Sequence, residues 1–374
     1  MRLLFVTPPL DGPATGGTLY NRQLIAALEA HYEDISLEHR TLDEVRAMAR
    51  VTDSHDLEER AEMASGHDRA RANDPPVAEQ HGAGLRGVRP DQVWVDSLYL
   101  SELPDMRARF DSETRVGLLL HYLPSLLGNP VLHTAAELST HELRALRAAD
   151  LIVTPSEYLK QLVEQICPGK RCACVTPGVQ VSQPGGASAR DGTALMICNV
   201  TENKGVLPFL RELAQVVPPT TTFDLAIAGE LQLEAAYARE CLAQCEQHAW
   251  LREHVRFLGS VTHAELFTRL AHASVLVSAS RMESYGMALA EARALGTPIL
   301  ALPGGNIAHH VAADSGGQLA SAPRGLAHAL CALMADPSEQ AARLARARRA
   351  ATIRPWRAAA ADFVAQHPSV AVTG

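Results

Sequence analysis

The chain has 374 residues, 47% of them hydrophobic and 20% charged, with a formal net charge of −8. That length exceeds what one hydrophobic core serves, so two domains with separate cores are expected. The acidic balance argues against a broad nucleic-acid-binding face, and no run approaches the 18 apolar residues of a membrane-spanning helix.

In chain order, "RLLFVTPP" reads as a strand opening into the glycine-bearing stretch "LDGPATGG", and "TLYNRQLIAALEAH" follows with apolar residues at helical spacing. The start "MRLLFVTPP" enters this strand without a signal-peptide cleavage region, so a soluble, cytoplasmic protein is expected. Residues 43–90 are charged and punctuated by Gly and Pro, which suits a helix plus a mobile loop. "DQVWVDSL", "RVGLLLHYL", "DLIVTPS" and "CACVTPG" read as buried parallel strands, with helices at "ELSTHELRALRAA" and "EYLKQLVEQI". "VTPGVQVSQPGGASARDGT" has the composition of a linker.

After it the alternation restarts. "ALMICNV", "TFDLAIAGE", "VRFLGSV", "SVLVSAS" and "PILALPGG" are its strands, and "VLPFLRELAQVV", "QLEAAYARECLAQCEQHAW", "HAELFTRLAHA" and "GMALAEARALG" its helices. The expected fold class is α/β, with two doubly wound Rossmann-like domains facing one another across a cleft. The boundaries are set at 1–180, 181–352 and a returning C-terminal helix over 353–374. The seven cysteines form no C-x-x-C pair, which fits reduced structural thiols, and no His/Cys/Asp cluster has metal-ligand spacing.

"RMESYGMALAEARALGTP" carries two glutamates, Glu283 and Glu291, around Gly286. On one continuous helix they would lie roughly 12 Å apart along the axis, too far to share a proton or a metal. The favoured reading puts Glu283 at the end of a loop after "SVLVSAS", a tight turn at Gly286, and Glu291 a turn or more inside the helix. An extended ligand then fits between them.

Taken in order, "TPSEYLKQLV", "VTPGV", "ENKGVLPFLREL", "VRFLGSV" and "ESYGMALAEARALGTPILA", with Trp356 at the start of the last helix, resemble the retaining glycosyltransferases of family 4, which have the GT-B fold. The resemblance implies an acceptor-side first domain, a second domain that binds a nucleotide sugar, and transfer of the sugar with its anomeric configuration retained. It implies that Glu283 holds donor-sugar hydroxyls and Glu291 the ribose, while the backbone N–H groups of Ser284, Tyr285, Gly286 and Met287 receive phosphate. Lys204 would compensate leaving-group charge, which with Glu283 and His121 completes the expected catalytic set. His121 lies at the end of "GLLLH", where a doubly wound sheet gathers its ligands; a structural histidine is the plainer alternative. Gly16 and Gly17 suit a loop approaching the reacting sugar and acceptor, and Gly259 to Val261 a backbone that reads the base.

The sequence departs from that family at two places. Asn199 stands where relatives carry an arginine, and Arg281 is the candidate substitute cation. "PGGNIAHH" lacks the acidic residue many relatives have after the glycines, with His309 and His310 nearby. UDP-sugars are the default donors, the acceptor is a small molecule, lipid or glycan, and neither nucleic acid nor an essential metal is expected; the oligomeric state is unread. The basic run "ARLARARRAATIRPWR" suits a solvated helix face better than weak peripheral membrane contact. The competing functions are a nucleotide-sugar epimerase on the same fold and a non-catalytic nucleotide-sugar binder.

Overall fold

A computed structural model describes residues 1–11, 15–47, 89–129, 131–180, 192–312 and 314–366. Within it the chain forms two compact units, one holding Met1–Leu120 and Thr140–Val153, the other His121–Ser139 and the described chain from Thr154 onward. Most of the 43–90 segment and of the linker lies outside the described residues.

The first unit runs β1 (Arg2–Val6), α1 (Gly16–His31), β2 (Ser36–Arg40), β3 (Gln92–Asp96), α2 (Leu103–Arg109), β4 (Arg115–Leu119), α3 (Thr140–Ala148) and β5 (Leu151–Thr154). Its strands pair in parallel in the order β2-β1-β3-β4-β5. β3 is buried along its whole length because sheet neighbours and covering elements enclose it, which is why "QVWVD" reads as an apolar run. Trp94 of β3 faces Gly117 of β4 in register, and a Cβ on that glycine would come within 2.4 Å of the indole. The small residue makes room for the large one.

In the second unit α4 (Glu157–Ile166) and β6 (Cys172–Cys174) precede β7 (Thr193–Ile197), α5 (Val206–Val216), β8 (Asp224–Ala228), α6 (Ala235–Gln247), α7 (Ala249–His254) and β9 (Val255–Gly259). α8 (His263–His272), β10 (Val275–Ser278), α9 (Met287–Leu295), β11 (Ile299–Ala301), α10 (Ile307–His310) and β12 (Gln318–Leu319) follow, and α11 (Pro323–Ala335), α12 (Pro337–Ala350) and α13 (Trp356–Ala365) end the described chain. The sheet order is β12-β11-β10-β7-β8-β9.

Alternate residues of these strands enter different cores. Met196, Ile227 and Val277 join Phe209, Leu210 and Leu213 of α5 and Leu326 and Leu330 of α11. Leu195, Leu276 and Ile299 join Leu270 of α8 and Leu289 and Ala292 of α9. The sheet is therefore covered on both faces, and β7 lies between β8 and β10, with α5 and α9 on opposite sides. This is a topological switch point: the loops leaving β7 and β10 diverge to opposite faces and leave a crevice at the strands' carboxyl ends.

Several sequence expectations are corrected. β4 stops at Leu119, so His121 lies beyond the strand and not at its end. The helix expected over 232–250 breaks at His248, whose extended backbone separates α6 from α7. The polar edge strand β2 and the two-residue β12 carry no apolar alternation and were not foreseen. Apart from these corrections, the segment leading into α13 is held at Val179, whose N donates to Arg354 O, and the backbone of Trp356 lies so close to Gly178 that a Cβ there would clash.

Candidate active site

The switch-point crevice is built from the β7 and β10 loops. After β7 the "ENK" turn ends at Gly205, whose φ of 64° is left-handed and whose missing Cβ would otherwise meet Ala279 O at 2.2 Å. This close approach brings Lys204 to Glu283, and Lys204 Nζ donates to Glu283 Oε1 at 2.6 Å. Both side chains are mostly buried, with 24% and 20% exposure. Burial pulls the Lys204 ammonium down, but the Glu283 carboxylate outweighs it, leaving the group raised and firmly cationic.

The Glu283 backbone is held from behind. Gly305 bridges it in parallel, Asn306 N donates to Glu283 O at 2.8 Å, and Gly304 O accepts from Glu283 N. The glycines of "PGGN" are thus the bed on which the glutamate rests. From there the chain passes Ser284, whose carbonyl accepts from Ser156 Oγ at 2.5 Å, and Tyr285, whose carbonyl accepts from Asn306 Nδ2 and His310 Nε2 at 2.9 and 2.7 Å. Burial pushes the Tyr285 phenol up to about 12 and His310 down to about 4, so His310 is a neutral donor. Gly286, at φ 91°, caps α9 without a side-chain partner, and Met287 opens the helix. The first N–H groups of α9 therefore begin at the residues assigned to phosphate.

Glu291 is the fifth residue of α9 and only 6% exposed. Its Oε1 accepts from His263 Nε2 at 2.7 Å. Glu283 precedes the helix and Glu291 lies inside it, as the glycine between them implies. Nearby, Asn199 Oδ1 accepts from Glu230 N, Gly259 O accepts from Gly229 N, and Ser260 Oγ donates to Glu230 Oε2 at 2.8 Å, joining the ends of β7, β8 and β9; Val261 follows half-buried. The Asn199 amide oxygen is thus occupied by backbone. Arg281 is 47% exposed, with Nη1 3.7 Å from Glu202 Oε1.

Gly16 and Gly17 are the first two residues of α1 in the first unit, behind a Thr15 cap whose Oγ1 accepts from Thr18 N. His121 is half-buried just past β4. His263, Asn306, His310 and Ser156 were missed as site residues. Only the glycines before Asn306 hinted at its turn; the others are brought in by packing across elements. Among the described residues no group of three His, Cys, Asp or Glu is set to hold a metal, and no helix is long and apolar enough to cross a membrane.

The fold is that of the GT-B glycosyltransferases, α/β with two parallel-sheet Rossmann-like domains. Sucrose-phosphate synthase from Thermosynechococcus elongatus superposes with a TM-score of 0.69 at 18% identity, covering 98% of each chain. HepE from Anabaena, solved in complex with UDP-glucose, superposes with a TM-score of 0.68 at 18% identity over 99% of this chain and 100% of its own. Residues 191–336 match the family described as glycosyl transferases group 1. The lipopolysaccharide core biosynthesis mannosyltransferase LpcC of Rhizobium leguminosarum bv. viciae is 26% identical over 274 residues, 69% of this chain and 77% of its own.

Proposed function

We propose that the chain is a retaining glycosyltransferase, of the family 4 type, that moves a sugar from a nucleotide diphosphate donor to an acceptor. The observation that carries this reading is the ordered set Lys204–Glu283, the uncapped start of α9, and buried Glu291 along one crevice edge. A sugar, a diphosphate and a ribose occur in that order in a nucleotide sugar. Glu283 accepts from sugar hydroxyls, Lys204 and the α9 N–H groups stabilise the departing diphosphate, and Glu291 holds the ribose. Backbone at Gly259 to Val261 reads the base. His121, Gly16 and Gly17 complete the reading on the sugar and acceptor side, the acceptor being a small molecule, lipid or glycan. Uridine is the favoured base, supported by the UDP-glucose complex of HepE.

Thermal-shift titration with UDP, GDP and ADP tests the site, with stabilisation by UDP expected. Proton NMR of UDP-glucose turnover tests the chemistry. Appearance of the α-anomer first, in product or slow hydrolysate, is expected for retention. First appearance of the β-anomer sinks retention, and an epimerised donor without transfer or hydrolysis sinks the transferase reading. Stabilisation by none of the nucleotides sinks the site.

A further inference from the structure

We infer that His263 is a positioning residue for ribose recognition, holding the Glu291 carboxylate in the orientation a ribose diol requires. The inference rests on the nucleotide-sugar reading above and adds a residue to it. Glu291 is buried, and a buried carboxylate is costly unless hydrogen-bonded. His263 supplies that bond from Nε2 to Oε1 at 2.7 Å, while Oε2 carries no hydrogen bond among the described residues. Because a carboxylate oxygen only accepts, the hydrogen is on Nε2.

The imidazole is itself constrained. His263 opens α8 behind Thr262, whose Oγ1 accepts from Glu265 N at 3.2 Å, and its ring lies 6.0 Å from that of Phe267, one turn on and buried. It follows Gly259 to Val261 by two residues, so one side chain ties the base-side loop to the carboxylate on α9. A carboxylate with one oxygen pinned presents the other in a fixed direction, and such pre-organisation lowers the ordering cost of binding.

The test is calorimetric binding of UDP, GDP and ADP, each against its 2′-deoxy counterpart, to the full chain, with donor KM and kcat measured alongside. Wild type is expected to favour the ribonucleotide by roughly tenfold or more. His263→Ala should shrink that preference to about threefold or less, raising donor KM with little change in kcat. His263→Gln, whose amide N–H can reach the same oxygen, should restore it, with circular dichroism confirming that both variants fold. A His263→Ala variant that keeps the full ribo-over-deoxy preference overturns the inference alone. A wild type that ignores the 2′-hydroxyl, or binds none of UDP, GDP and ADP, overturns the ribose assignment of Glu291 and this inference with it.

Discussion

Lys204 and Glu283 satisfy one another without ligand, so the crevice is charged but internally neutralised. On the proposed reading a bound diphosphate would share the ammonium, which has three N–H donors and can keep Glu283 while reaching phosphate. Lys204→Ala is expected to lower kcat about 10²–10³-fold, the scale of losing one preorganised donor to developing charge. Lys204→Arg should not restore it, because a planar fork does not replace a compact ammonium here. Steady-state kinetics with UDP-glucose decides both. Arg281 should contribute less: if it substitutes for the cation absent at Asn199, Arg281→Ala raises donor KM, whereas unchanged affinity and turnover would dismiss that role. His310 sets an acid limit. Its folded value of about 4 lies below the ordinary 6.5, so the unfolded chain takes up this proton first. Stability is unaffected above pH 6.5 and falls between there and pH 4, by on the order of 3 kcal/mol when complete. Replacing it, as in His310→Leu, should flatten that part of a thermal-midpoint profile; an unchanged slope refutes the assignment.

Among the elements, the two that carry the site are fixed by glycines, each for a different reason. Gly286 starts α9 from a left-handed conformation and thereby separates Glu283 from Glu291. Gly305, at φ 60°, would place a Cβ 2.3 Å from Glu283 O, against backbone that cannot rotate away. Gly305→Ala is expected to cost about 1–3 kcal/mol in stability and to weaken donor binding by displacing Glu283. Urea denaturation and UDP titration of the same variant check the two effects, and unchanged binding would show that the bed under Glu283 is not what aims it. α12 illustrates the opposite case. Its basic run suits a solvated helix face better than membrane contact: Arg343 and Arg346 both pair with Glu339, and beyond the helix Arg354 pairs with Asp362. Cosedimentation with anionic vesicles at low salt is therefore expected to be negligible, and salt-sensitive sedimentation would favour the membrane alternative.

For the molecule as a whole, ligand linkage offers the broadest check, because a nucleotide bound only by the folded chain raises its stability by roughly 2.7 kcal/mol at one hundred times Kd. UDP should do so, and Glu291→Ala should diminish the effect. Much of this was legible from residue order: apolar strand runs, helical periodicity, Gly286, and a glutamate on either side of it define the second unit and the placing of Glu283 before α9 and Glu291 within it. Those features are local, set by backbone freedom, side-chain period and hydrophobic pattern within a dozen residues. The pairing of Lys204 with Glu283, the glycine bed beneath that glutamate, the neutral His310 and the His263–Glu291 bond join residues distant in the chain or on separate elements. No short-range pattern encodes such meetings, because they exist only once β7 lies between β8 and β10 and the helices have packed on opposite faces of the sheet.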